Sequence, residues 1–247
     1  MPITAKPYLK SISTRFEDGL DLSAYPYCIP AVRGLDRLDF HPDVTFFVGE
    51  NGAGKSTVLE AIALALGYAP EGGTRNVRLS TTESVSPLHH ALRLSHGFKK
   101  PSDGYFLRAE SFFNLATYMD DIDLEGGDSG YGGKSLHARS HGEAFMSLFT
   151  HKLRGKGLYL MDEPEAALSP MRQMAALSAM HQLVEADSQF IIATHSPILL
   201  AYPRAKILLF GGTGITETAY EDTEHYRVTR DFLNHHPRRV AQLMADD

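Results

Sequence analysis

The chain has 247 residues, 24 Lys+Arg against 30 Asp+Glu, one cysteine and no tryptophan. That length allows one large domain or two small ones around a sizeable core, and 43% hydrophobic with 22% charged residues excludes wholesale disorder. The lone Cys28 excludes an internal disulfide scaffold, and the net charge of −6 gives no general pull toward nucleic acid or anionic lipid.

The first residues, Met1-Pro2-Ile3-Thr4-Ala5-Lys6, lack the apolar stretch of a secretion signal. No apolar run reaches the ~18 residues of a membrane span, so a cytoplasmic protein with no membrane insertion is expected. Tyr25 and Tyr27 near the start read either as core aromatics or as a platform for a purine base. Val44-Thr45-Phe46-Phe47-Val48 reads as a buried strand, followed by a helix over Ser56 to Tyr68 that ends at Pro70-Glu71-Gly72-Gly73. Residues 71–150 show weaker strand signals and more helix-like stretches. They include an acidic, glycine-rich segment, Tyr118 to Gly133, with the composition of a solvated loop. Apolar strands resume at Gly157 to Met161, Phe190 to Ala193 and Lys206 to Phe210, with a helix over Pro170 to Glu185 between the first two. Two short amphipathic helices, Thr229 to Asn234 and Arg238 to Met244, close the chain around Pro237.

Continuous apolar strands alternating with helices predict an α/β fold whose mainly parallel sheet is flanked by helices on both faces. The expected division is a core lobe of residues 1–70 and 151–247, interrupted by an inserted, mostly helical lobe of residues 71–150.

Gly49-Glu50-Asn51-Gly52-Ala53-Gly54-Lys55-Ser56 fits the pattern G-x-x-x-x-G-K-[ST], placed between a strand and a helix. Glycines let such a backbone wrap a phosphate chain with its N–H groups pointing inward, and the following helix adds its positive end. Lys55 is then placed to reach the β- and γ-phosphates of a nucleotide, and Ser56 to ligate Mg²⁺.

Leu158-Tyr159-Leu160-Met161-Asp162-Glu163-Pro164 is an apolar strand that ends in two acids. Asp162 suits a Mg²⁺ shell beside the phosphate loop, and Glu163 suits a carboxylate that polarises an attacking water. Ile191-Ile192-Ala193-Thr194-His195-Ser196 ends a further strand in a histidine. With one helix between them, Asp162 and His195 should sit at neighbouring strand ends, which suits His195 to sense the γ-phosphate.

Together Gly49 to Thr57, Asp162-Glu163-Pro164 and Ala193-Thr194-His195-Ser196 resemble the nucleotide-binding heads of ABC-type P-loop ATPases. The resemblance is nearest to SMC, RecF and OLD-like heads and to small stand-alone bacterial AAA-family ATPases. It implies a signature loop at Ala138 to Phe145, in which Ser140 and Gly142 meet the nucleotide of a second copy and His141 replaces a glycine. It also places Glu110 where such heads carry a metal-linked glutamine. Thr57 completes the phosphate loop. The aspartate that transporters carry after the acidic pair is missing.

The resemblance implies a Mg²⁺-dependent ATPase that closes as an ATP-dependent homodimer and opens on hydrolysis, switching a nucleic-acid-linked or effector protein partner of the DNA-repair or phage-defence type. Two other classes stand beside it: the energy-coupling subunit of a membrane transporter, and a nucleotide-binding scaffold without turnover. Arg75, Arg78, Arg93, Lys99, Lys100 and Arg108, against only Glu83 and Asp103, tilt residues 75–108 toward positive charge. That tilt reads as solvated charge, a protein-docking face or a DNA contact. No histidine spacing suggests zinc.

Overall fold

The run Val44–Val48 is a strand buried at every position, as the centre of a sheet covered on both faces must be. The computed structural model describes residues 6–16, 19–75, 86–110 and 141–245, with the side chain of His141 excepted. Among these residues the strands are β1 (Leu9–Thr14), β2 (Arg37–Asp39), β3 (Val44–Val48), β4 (Leu92–His96), β5 (Asp103–Arg108), β6 (Gly157–Asp162), β7 (Gln189–Ala193), β8 (Ala205–Gly211) and β9 (Gly214–Thr218). The α-helices are α1 (Pro30–Arg33), α2 (Lys55–Ala65), α3 (Leu88–Ala91), α4 (His141–Ser147), α5 (Pro170–Glu185), α6 (Pro197–Leu200) and α7 (Glu224–Leu243).

Six strands form one sheet in the order β5-β6-β7-β3-β8-β9. All its neighbours run parallel except the last pair, β8 and β9. The register sets Asp162 beside Ala193 and Phe47 beside both Ala193 and Leu208. The C-terminal ends of β3, β6 and β7 therefore lie together on one edge, and open parallel sheets bind ligands at that edge.

Alternation along β3 divides the core. Val44, Phe46 and Val48 pack with Met180, Leu183 and Val184 of α5 on one face. Phe47 packs with Val58, Leu59 and Ile62 of α2 on the other. A second sheet, β2-β1-β4, is antiparallel throughout and covers α2, adding Leu9, Ile12, Leu38 and Leu92 to that core.

The α/β fold with a mainly parallel sheet is as expected, but residues 86–110 are not part of a helical insertion. Leu92–His96 pairs with β1, and Asp103–Arg108 pairs with β6. Tyr105, Phe106 and Leu107 are fully buried in the main sheet. Three consecutive apolar residues are too short a signal to tell a strand from a helix segment by period. The acidic segment Tyr118 to Gly133 lies outside the described residues.

The two tail helices are one helix, α7, in which His235 leaves helical geometry (φ −129°, ψ 23°) ahead of Pro237. The kink absorbs the proline, which has no N–H to donate and crowds the preceding turn. No residue of α7 is buried.

At the opposite edge of the main sheet, Asp43 ties three segments together. Lys6 Nζ donates to Asp43 Oδ1 at 2.6 Å and to the carbonyls of Val184 and Ser188 at 3.0 and 3.3 Å. Arg204 Nε donates to Asp43 Oδ2 at 2.6 Å. Gln189 adds bonds to the backbone of Tyr8, Leu9 and His41.

Candidate functional site

The loop after β3 needs glycine at two points. Gly49 has φ 142°, and a Cβ there would lie 2.3 Å from the Phe210 carbonyl oxygen of β8. Gly54 has φ 95°, and a Cβ there would lie 2.9 Å from Ile29 Cγ2. L-residues rarely adopt such φ values. Gly54 is the N-cap of α2, and no side chain caps the helix. The first N–H groups of α2 are thus left for an anion, next to the positive end of its dipole.

Lys55 is 4% exposed, and its Nζ donates to the carbonyls of Gly49 and Glu50 at 2.8 and 2.9 Å. Burial lowers its pKa, against the opposing charges of Glu163, Asp162 and Glu165. Ser56 Oγ donates to Asp162 Oδ1 at 2.8 Å. Burial pushes the Asp162 carboxyl up to about 6, despite the Ser56 bond and the charge of Arg108.

Glu163 follows with φ 50°, a left-handed conformation uncommon for a non-glycine residue. Its N–H donates to the Ala193 carbonyl at 2.9 Å. Backbone strain of this kind collects at functional sites, where it aims a side chain. Glu163 Oε1 lies 3.7 Å from His195 Nε2.

His195, at the end of β7, is fixed by neighbours that sequence reading missed. Its backbone N–H donates to Glu165 Oε1 at 2.5 Å, and Thr194 Oγ1 donates to Glu165 Oε2 at 2.8 Å. His195 Nδ1 lies 2.9 Å from His225 Nε2 of α7. His195 Nε2 is buried without a hydrogen-bond partner. Glu165 had a sequence signal, since it sits three residues after Asp162 in an acid-rich run. His225 had none, because only folding brings it to the site.

A cleft of about 440 Å³ runs over the phosphate loop, lined by Gly49 to Ala53, Phe210, Gly211 and Gly212, with Glu224 and His225 on its rim. A larger hollow of about 750 Å³ along α7, lined by Val228, Phe232, Arg239 and Leu243 among others, contains no part of the phosphate loop.

Other expected positions are dispersed. The Glu110 side chain is 87% exposed and lies 3.6 Å from Arg108, and its charge reaches Asp162, where it adds to the upward push on that carboxyl. Thr57 Oγ1 lies 3.3 Å from Tyr25 Oη. Tyr25 is exposed, whereas Tyr27 is core, edge-on to Phe16. Ser140 and Arg78 lie outside the described residues. Gly142 is buried against Arg172 of α5. Arg108 turns inward to Glu60 and the Pro70 carbonyl at 2.8 and 3.3 Å, so that part of the basic tilt is internal. Among the described residues no group of three or more His, Cys, Asp or Glu could hold a metal. None of the helices described is long and apolar enough to cross a membrane.

A phosphate loop after β3, an acidic pair after β6 and a histidine after the strand between them now stand on one edge. The fold is an α/β fold with a phosphate loop at the ligand-binding edge of its mainly parallel sheet. Residues 28–120 match the family model described as an AAA domain, a stretch that includes the phosphate loop and α2.

Among solved structures the chain is similar to the SMC head domain from Thermotoga maritima, at 13% identity over 86% of this chain and 100% of that one (TM-score 0.46). It is similar to cbiO1 from Clostridium perfringens, part of the ABC transporter complex cbiONQ, at 15% identity over 97% and 99% (TM-score 0.48). It is also similar to the SmcHead bound to the C-winged helix domain of ScpA, at 14% identity over 86% and 98% (TM-score 0.48). No curated protein matches.

Proposed function

We propose that this P-loop head is a Mg²⁺-dependent ATPase. It binds and hydrolyses ATP in a head-to-tail homodimer and acts as a conformational switch for a nucleic-acid-linked or effector partner, of the DNA-repair or phage-defence type. One observation carries the reading: Lys55, the Ser56–Asp162 pair, Glu163 and His195 converge on one sheet edge beside the phosphate loop. The loop backbone and Lys55 hold the phosphates. Glu163 accepts the proton of the water that attacks the γ-phosphate, and ADP leaves with the cleaved bond. His195 Nε2, buried and unpaired, faces the same region and supplies a contact to the γ-phosphate. Ser140 and Gly142 of a second copy complete the site, so ATP closes the dimer and hydrolysis opens it.

The donors present fit Mg²⁺. It takes hard oxygen ligands and is held by one or two carboxylates plus phosphates rather than by an all-protein cage. Ser56 and Asp162 supply such a hydroxyl and carboxylate side by side, and when bound the ion would neutralise charge on the phosphates.

A pH dependence follows. Burial raises the Asp162 carboxyl to about 6, so the folded chain holds this proton more tightly than an unfolded chain does. The charged form costs the folded state stability as pH rises from about 4 toward 6. A cation at the site must displace that proton. Mg²⁺-dependent ATP affinity should therefore fall about tenfold per pH unit well below pH 6, and level off above it. Calorimetric titrations with Mg-ATP from pH 5 to pH 8 check this; a flat profile would remove Asp162 from the metal shell.

The function itself is tested by turnover and mass. Wild-type protein should release phosphate from Mg-ATP, Lys55→Ala should not, and light scattering should show a rise from monomer to dimer with ATP. Tight ATP binding with no turnover would leave a scaffold instead. An unchanged mass with hydrolysis blocked would remove the dimer.

A further inference from the structure

The contact between His195 and His225 joins two imidazoles through nitrogen atoms 2.9 Å apart, with ring centroids 5.0 Å apart. At that distance one nitrogen must carry a proton and the other must offer a lone pair. Burial holds both rings below the ordinary histidine range, with Lys55 adding to the effect at each and the His195 ring adding to it at His225, so both are neutral near pH 7. Two arrangements remain. If His195 Nδ1 carries the proton, its Nε2 turns a bare lone pair toward the Glu163 carboxylate 3.7 Å away. If His225 Nε2 carries it, His195 is protonated on Nε2 and presents an N–H to that carboxylate. The first places a lone pair against an anion, and the second places a donor there.

We propose that His225 is a positioning residue: its Nε2–H donates to His195 Nδ1 and so fixes the tautomer in which His195 Nε2–H points at Glu163. A donor at this point can bond a γ-phosphate oxygen, whereas a lone pair would repel it. The proposal rests on the reading of His195 as the γ-phosphate contact.

The placement of His225 is built into the fold. Thr223, 1% exposed, caps α7 by accepting from the Tyr226 N–H at 3.3 Å. Tyr220 Oη donates to the Pro197 carbonyl at 2.8 Å and ties the approach to α7 onto α6. His225 also lines the same cleft as Gly49 to Ala53. The first turn of α7 thereby belongs to the nucleotide site, although it lies well beyond the matched AAA stretch. Behind metal-bound histidines, partners that fix the ring's tautomer and orientation cost roughly 10–100-fold when lost, and His225 stands in the same relation to His195.

The test begins without nucleotide. In ¹⁵N-histidine spectra of the free wild-type protein, His195, assigned by its loss in His195→Gln, should show a protonated Nε2 and a bare Nδ1. A protonated Nδ1 overturns the proposal. His225→Phe should mix or reverse the two forms and lower kcat by about tenfold, with the KM for ATP within about twofold. His225→Gln, whose side-chain amide can still donate, should restore the wild-type tautomer and most of kcat. A wild-type tautomer or an unchanged kcat in His225→Phe also overturns it. The expected tautomer in a wild-type protein that shows no turnover would sink the ATPase reading alone and leave the His195–His225 bond standing.

Discussion

Replacing Glu163 by Gln is expected to lower ATP turnover by roughly 10²–10⁴-fold while leaving ATP binding intact and accumulating closed dimer. Gln keeps the volume and hydrogen-bonding reach of Glu but cannot accept the proton of the attacking water. Little else should change. The Glu163 side chain is 46% exposed, and its only described ion pair is the 3.7 Å approach to His195. The backbone N–H that anchors its strained conformation bonds to Ala193 and is untouched by the substitution. The Ser56–Asp162 pair on the neighbouring residue also survives. Phosphate release, nucleotide affinity and mass by light scattering are the three measurements. Near wild-type turnover would remove Glu163 as the base. His195, 3.7 Å from Glu163, and Glu110, whose charge reaches Asp162, would then be the candidates.

The parts legible in the sequence share one physical property: each is a local signal. Val44–Val48, Gly157–Asp162 and Gln189–Ala193 are short apolar runs bounded by turn residues, and each is a buried strand. The helix over Pro170–Glu185 starts at a proline, as helices often do. The phosphate loop is readable because close backbone approach to phosphate demands glycine at fixed spacing. What could not be read depends on distant pairing. The β1 segment LKSIST alternates polar and apolar residues weakly, and its partners β2 and β4 lie well apart in the chain. β9 has one buried position and is held by its bonds to β8. Arg108 reads as part of a basic surface, yet it spends its charge on Glu60 of α2. Glu163 in a left-handed conformation, and His225 behind His195, follow from how β6, β7 and α7 meet, which no window of sequence contains.

Asp43→Asn is expected to destabilise the fold by about 3 kcal/mol at pH 7, because it removes the carboxylate from a buried ion pair with Lys6. Lys6 and Asp43 are 10% and 9% exposed at their side chains, so water cannot replace the lost charge. The carbonyls of Val184 and Ser188 still accept from Lys6. Arg204 is 45% exposed and keeps Glu185, which places the effect at the low end of the range for broken buried pairs.

Burial raises the Asp43 carboxyl, but the bonds and charges of Lys6 and Arg204 outweigh it and hold the group below the usual aspartate range. With the folded pKa depressed, Asp43 contributes its full stability above the unfolded value near 4, and that stability is lost as pH falls through the folded value. The gap between wild type and Asp43→Asn in urea unfolding should therefore be widest at pH 7 and shrink toward pH 3. A gap independent of pH would mean that packing, not charge, holds this corner.

The cluster sits at the N-terminal ends of β3, β7 and β8, whereas the phosphate loop, the acidic pair and His195 sit at the C-terminal ends of the parallel strands. At temperatures where the variant stays folded, its ATP turnover at saturating nucleotide should equal that of the wild type. A loss of turnover there would show that the two edges of the sheet are coupled, and that ordering the N-terminal segment through Lys6 reaches the nucleotide site.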